Sequence, residues 1–133
     1  MQDVVLTEKG LVGRVVKTFF SSSQVLLLND PNFSVDCLNE RTGFRLLISG
    51  ISENHLKGNR YPFLSRAEFL EGGQGLQEGD EIVTSGFGTI PGKIPVGTVK
   101  EVQSSEGHVA KEMMIVPKVD FTELTRVFVL TES

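Results

Sequence analysis

Residues 79–99 run Gly79-Asp80-Glu81-Ile82-Val83-Thr84-Ser85-Gly86-Phe87-Gly88-Thr89-Ile90-Pro91-Gly92-Lys93-Ile94-Pro95-Val96-Gly97-Thr98-Val99. The fold class is decided here. Gly79-Asp80 is a turn signal, and Glu81 to Thr84 is a short β-branched run of strand type. Ser85 to Pro95 is a loop with three glycines and two prolines. Val96 to Val99 opens a new strand. Proline fixes φ and glycine supplies positive φ where a chain must turn back. The expected result is a stiff, shaped connection rather than a flexible Gly/Ser linker. Its structural residues are Gly86, Gly88, Pro91, Gly92, Pro95 and Gly97.

Outward from this stretch the same grammar repeats. No segment longer than about ten residues combines helical periodicity with caps. Short apolar runs alternate instead with Gly, Asn, Asp, Ser and Pro, the pattern of an all-β sandwich or barrel. Strands are expected at Val4 to Leu6, Leu11 to Phe20, Gln24 to Leu28, Ser34 to Leu38, Phe44 to Ser49, Val99 to Gln103, Met113 to Val116 and Thr125 to Leu130. Tyr61 to Leu64 has the look of an edge strand because of Pro62. Ser65 with Glu68 and Asp120 with Glu123 fit capping boxes, so each predicts at most one helical turn.

An internal echo links two of these regions. Leu11-Val12-Gly13-Arg14-Val15-Val16-Lys17 precedes two serines, the apolar run Val25 to Leu28 and an Asn-Asp-Pro turn. Pro95-Val96-Gly97-Thr98-Val99-Lys100-Glu101 precedes Ser104-Ser105, Met113 to Val116 and a Pro-Lys-Val-Asp turn. The pair is expected to form equivalent hairpins in two related β units. Both return strands are apolar at every position, which suggests cover on both faces.

The chain has 133 residues, enough for one domain or for two very small barrels with a common core. Hydrophobic residues are 39% and charged residues 23%, a globular balance. Net charge is −4, with no Lys/Arg cluster, which argues against a nucleic-acid partner. Cys37 is the one cysteine, so no intrachain disulfide is possible; a small buried hydrophobe is the expected role. No apolar run approaches the roughly 20 residues that span a bilayer.

The motif GD-apolar-apolar-TSG-x-G followed by IPVGTV resembles the signature of the MreC family of rod-shape-determining proteins. Three other segments agree in order: GLVGRVV from Gly10, SQVLLLNDPN from Ser23, and VPKVDF from Val116 onward to Leu130. The likeness runs from about Val5 to Leu130. Two departures stand out: Thr89 and Ile90 replace the family's second Gly and its Phe, and Glu53 to Phe69 is unusual. The resemblance implies two small β-barrel-like units of short antiparallel strands. One division puts 34–115 in one barrel and 1–33 with 116–133 in the other. It also implies a transmembrane helix and coiled coil upstream, absent from these residues, and an extracytoplasmic position anchored to the inner membrane. Its implied partners are further copies of itself, a class B penicillin-binding transpeptidase, the membrane protein MreD and, through the membrane, the actin-like MreB system. The implied function is a non-catalytic scaffold that organises peptidoglycan synthesis during elongation.

Against that stands a hydrolase. The family's second barrel resembles a trypsin-like protease barrel, and Ser85 follows Asp80. A serine nucleophile needs a base held by a third group. The two histidines, His55 and His108, lie in polar, loop-like stretches, and Val83 stands where a nucleophile elbow needs glycine. Thr84 and Ser85 are better suited to locking the loop through backbone bonds. Two isolated histidines and one cysteine make no zinc set, and Asp30, Asp36 and Asp80 lack calcium-loop spacing. No metal or other cofactor is expected. A small glycan-binding barrel is a third reading. Phe19, Phe20, Phe87 and Ile90 are the candidate protein contacts: Phe19 and Phe20 are adjacent, so a strand cannot turn both inward.

Overall fold

The computed structural model describes residues 3–50, 65–69, 77–88, 90–104 and 111–131. These form ten strands: β1 (Val4–Thr7), β2 (Gly10–Thr18), β3 (Ser23–Leu27), β4 (Ser34–Asn39), β5 (Arg45–Gly50), β6 (Ser65–Phe69), β7 (Glu81–Thr84), β8 (Pro95–Ser104), β9 (Lys111–Pro117) and β10 (Phe128–Leu130). Six close into a barrel in the order β4-β5-β6-β9-β8-β7. The other four form an open sheet, β10-β1-β2-β3, which is half of a second barrel. Every pairing is antiparallel.

The half-barrel repeats four strands of the closed one, register for register. Gly13 of β2 stands opposite Leu27 of β3, and Gly97 of β8 stands opposite Pro117 of β9. Two residues further on, each hairpin carries a bulge, between Val15 and Lys17 and between Val99 and Glu101. The preceding strands match as well. Val5 pairs Gly13 before a register shift to Leu11, and Ile82 pairs Gly97 before a shift to Pro95. Finally β10 pairs β1 as β4 pairs β7, so Val129 opposite Val5 corresponds to Asn39 opposite Ile82. A bulge bends its strand and increases local twist. Two bulges at matching places give both sheets the same curl.

One core joins the two sheets. Val4 and Leu11 from the half-barrel, with Leu28 and Phe33 from the turn that leaves it, pack with Val35, Cys37, Leu46, Ile48 and Ile82 of the barrel. Full burial of each Leu or Ile stabilises the fold by about 1.5–3 kcal/mol. Arg14 adds a lid over this seam, its guanidinium 5.4 Å from the Phe33 ring centroid. The backbones also meet: a Cβ on Gly10 would lie 2.5 Å from the Pro95 carbonyl oxygen. A smaller cluster on the opposite face of the half-barrel gathers Val5, Val12, Val15 and Val119. β3 serves both, since Leu26 packs on the first cluster and Val25 and Leu27 on the second. Its apolar side chains are nonetheless only half-buried, because β3 is an edge of the open sheet.

Some local expectations are corrected. Ser65–Phe69 is strand β6 rather than a helical turn, because pairing with both β5 and β9 outweighs the capping pattern. Asp120 accepts the Thr122 N–H at 2.9 Å and the Thr122 hydroxyl at 2.6 Å, which makes a turn where a helix start was expected. Phe44 precedes β5 and is 40% exposed, while Leu46 and Ile48 behind it are buried. Tyr61 to Leu64 and the serine tip beyond Ser104 lie outside the described residues.

Candidate functional site

The connection from β7 to β8 is braced at its neck by Thr84. The Thr84 hydroxyl donates to the Pro91 carbonyl at 2.6 Å and accepts the Ile94 N–H at 2.9 Å. Backbone bonds from Thr84 N–H to Ile94 and from Lys93 N–H to Thr84 close the same neck. Within it Gly86 has φ +83°, as a turning glycine should. The second reversal is at Lys93, φ +67°, and not at the neighbouring Gly92. Gly92 instead lies against Gly86, where a Cβ would come to 3.3 Å of the Gly86 Cα. Gly88 has open space around it, so nothing packs on that position. Pro91 is exposed at the loop's outer edge. Pro95 and Gly97 belong to β8 rather than to the loop.

Ile90 is only 8% exposed and joins the main core cluster. This corrects its reading as a protein contact: an apolar side chain in a loop folded back over the barrel is drawn into the interior. Phe87 goes the other way and is 69% exposed. It is held by a chain of polar groups on the barrel's outer face. Ser85 donates its hydroxyl to the Asp36 carboxylate at 2.7 Å and accepts the Phe87 N–H at 3.1 Å. Arg45 forms an ion pair with the other carboxylate oxygen of Asp36. The Arg45 guanidinium lies 4.4 Å from the Phe87 ring centroid. The hydrogen bond from Arg45 holds the Asp36 carboxyl below its usual range, burial opposes this, and the Ser85 hydroxyl adds to the lowering. The result is an aromatic ring presented to solvent on a fixed cation.

The other end of β7 carries a second brace that no motif announces. Asp80, 7% exposed, accepts Asn39 Nδ2 at 2.9 Å, Arg41 Nε at 2.8 Å and the Gln77 N–H at 2.9 Å. Arg41 chiefly, with Gln77 and Asn39, depresses its carboxyl well below the usual range, with burial opposing. Nothing in the sequence marked Asp80 as a brace, because its partner Asn39 is far off in sequence. This brace ties the start of β7 to the end of β4.

Phe19 and Phe20 sit at the tip between β2 and β3, past the end of the strand, so neither is turned inward. The tip is closed by a bond from Phe19 N–H to Ser22. Phe19 is 53% exposed under the Lys17 ammonium, 5.1 Å from its ring centroid, and Phe20 is fully exposed. Sequence reasoning missed a third apolar surface, Val127, Phe128, Val129 and Leu130, each at least 42% exposed. Its alternation-free apolar run was the available signal.

His55 and His108 lie outside the described residues. Ser85 Oγ is committed to Asp36 and to the Phe87 amide. Cys37 is fully buried, and burial first, with Asp36 nearby, pushes its thiol pKa far up. Among the described residues no three metal-ligating side chains converge. A groove of about 320 Å³ runs beside β10 between Thr7, Lys9, Asp120, Leu124, Arg126 and Phe128.

A pair of related β units on one core, with polar side chains bracing loops and aromatics facing solvent, defines a compact antiparallel β module. The chain belongs to the MreC family: residues 1–131 match the family described as rod shape-determining protein MreC, barrel core. It is 39% identical over 94 residues, 70% of its length, to the cell shape-determining protein MreC of Caulobacter vibrioides, and spans a quarter of that protein. Its fold is similar to the crystal structure of MreC from Pseudomonas aeruginosa, with 29% identity, a TM-score of 0.83, and coverage of 97% of this chain and 79% of that one. A Helicobacter pylori MreC solved in complex with a penicillin-binding protein shares the fold at 14% identity and a TM-score of 0.72, covering 97% of this chain and 76% of that one.

Proposed function

We propose that these residues form the extracytoplasmic docking region of a cell-shape scaffold that organises peptidoglycan synthesis during elongation. The region binds further copies of itself and a class B penicillin-binding transpeptidase, and acts with MreD and, across the membrane, with MreB filaments. The full protein is anchored to the inner membrane, and bond-making chemistry belongs to the partners. The two units are 34–115 and 1–33 with 116–133.

The observation that carries this reading is the presentation of Phe87 on the Asp36–Arg45 pair. An aromatic ring that is 69% exposed yet fixed by a cation and a bonded loop neck loses little freedom on binding. Aromatic and arginine side chains dominate the energetics of protein contacts for this reason. Phe19 and Phe20 offer a second such point. The complex of the Helicobacter pylori MreC with a penicillin-binding protein supports the choice of partner. The test is binding of the transpeptidase ectodomain to the immobilised chain. Saturable binding that weakens at least tenfold with Phe87→Ala is expected. A negative result at the highest attainable protein concentration would overturn the reading.

A further inference from the structure

We propose that Arg14 is a second contact for the transpeptidase, where its guanidinium receives a carboxylate from an acidic side chain of that partner. The assignment rests on the docking function proposed above and adds to it a residue and the chemistry of its partner group.

The first observation is an unpaired cation. Arg14 is half-buried at the seam between the two units, and its Nε is enclosed without a hydrogen-bond partner. The guanidinium rests on the Phe33 ring, 5.4 Å from its centroid. Arg41 and Arg45 each hold an aspartate instead. Among the described residues no acid does this for Arg14. The two aspartates closest to Phe33 along the chain are both engaged. Asp30 accepts the Asn32 N–H at 2.8 Å, and Asp36 holds Arg45 and Ser85.

The second is the equivalence of the two units. Arg14 of β2 takes the place of Thr98 of β8, and Val4 of β1 takes the place of Glu81 of β7. In the closed barrel Glu81 accepts the Thr98 hydroxyl at 3.4 Å and pairs with Lys118 at 2.6 Å. In the half-barrel the acid's place is held by a valine that is 4% exposed. Leu26 flanks Arg14 on the other side. An unbranched apolar side chain would fill this row without enclosing a donor. An enclosed Nε with no acceptor costs stability there. A residue that breaks a local rule without a gain to the fold marks a functional position.

The third is readiness and reach. The ring contact restricts the guanidinium before any partner arrives, so little freedom is lost on binding. The guanidinium fork matches a carboxylate through two parallel N–H···O bonds. Val4 and Leu26 on either side make the surroundings apolar, which strengthens such a pair. Phe33, beneath Arg14, stands three residues before Asp36, which carries Arg45 and through it Phe87. Three residues span at most about 11 Å. A partner face of ordinary size, about 800 Å², covers the Phe87 ring and the Arg14 fork together.

Arg14→Met tests this, because it keeps the length of the side chain and removes both the charge and the enclosed donor. The variant should keep or raise the urea midpoint while its binding to the transpeptidase ectodomain weakens about tenfold or more. Its binding should also depend less on salt than that of the parent chain. Arg14→Lys keeps the charge over Phe33 and loses the fork, so its affinity should fall between the two, and it serves where Arg14→Met does not fold. Parent-like binding by either variant overturns the proposal. An Arg14→Met chain that unfolds at lower urea while its folded fraction binds like the parent shows a merely structural arginine, which also overturns it. A parent chain that does not bind the ectodomain removes the docking function itself. If Phe87→Ala weakens binding and Arg14→Met does not, only the Arg14 contact falls.

Discussion

Gly13 and Gly97 hold the same place in two different hairpins: each lies where a Cβ would overlap the carbonyl of the return strand, at Leu26 and at Val116. An alanine methyl group at position 97 would fall 2.6 Å from the Val116 oxygen. The carbonyl is backbone in both cases and has no rotamer by which to yield, and at position 97 the Ile115 Cγ2 methyl lies nearer still, at 2.5 Å. Gly13→Ala and Gly97→Ala are each expected to destabilise the chain by about 1–3 kcal/mol, the usual cost of overpacking. Urea unfolding would read this as a lower midpoint with an unchanged slope. Losses of this order at both sites would follow from their equivalent registers.

The loop neck separates two neighbouring hydroxyls. Thr84 is 1% exposed and serves both the Pro91 carbonyl and the Ile94 amide. Thr84→Val keeps the shape and strands both groups, so a loss of about 1–3 kcal/mol is expected. Ser85 is partly exposed, and its amide still bonds the Asp36 carbonyl when the hydroxyl is gone. Ser85→Ala should cost about 1 kcal/mol or less. Thermal melts of the two variants would rank them. A serine-reactive fluorophosphonate is expected to leave Ser85 unlabelled, and stoichiometric labelling checked by mass spectrometry would contradict the docking role of this loop.

Acid should unfold the chain through Asp80 and Asp36. Both carboxyls are held below their ordinary range in the fold, chiefly by Arg41 and Arg45 respectively. A depressed carboxyl contributes stability that is complete above its unfolded pKa, near 4, and is lost as pH falls toward the folded value. Stability should thus be flat above about pH 5 and decline below about pH 4. Asp80→Asn removes part of that slope and lowers the plateau, since Arg41 and Gln77 lose a charged acceptor. Urea midpoints measured from about pH 2 to about pH 8 would show the shallower acid limb.

The strand grammar was legible because each element is short, apolar and closed by Gly, Asn, Asp or Pro. The paired hairpins were legible for the same reason: Leu11 to Lys17 and Pro95 to Glu101 repeat glycine and valine at one spacing, and their pairing registers follow. What the linear chain concealed was long-range pairing. Ser65–Phe69 satisfies a capping box locally, yet it has two strands to bond and takes them. The Asp80–Asn39 brace spans 41 residues, and no spacing rule reaches that far. Positive φ was expected of the loop's glycines, and Gly86 has it, but the second reversal is at Lys93, where closing the neck on Thr84 sets it. The run Val127 to Leu130 shows no alternation, but its exposure depends on the sheet pairings among the described residues, which the run alone does not reveal.

The aromatic contacts and the buried loop residue should part company under mutation. Phe20 and Phe87 touch mostly water, so Phe20→Ser should change stability by about 0.5 kcal/mol or less, as surface substitutions do, and Phe87→Ala by about 1 kcal/mol or less. Phe87 does lose its Arg45 contact, but an exposed cation–π pair is worth only about 0.5–1 kcal/mol, and the Arg45–Asp36 ion pair survives it. Ile90→Ala empties a core position 8% exposed and should cost about 2–5 kcal/mol. Binding to the transpeptidase ectodomain should run in the opposite order. Phe87→Ala weakens it at least tenfold at full stability, while Ile90→Ala weakens it only through the fraction unfolded. Paired calorimetric melts and binding isotherms on the same samples distinguish the two. If Phe87→Ala bound normally, the ring on Arg45 would be an ornament of the loop, and the contact would pass to Phe19 and Phe20.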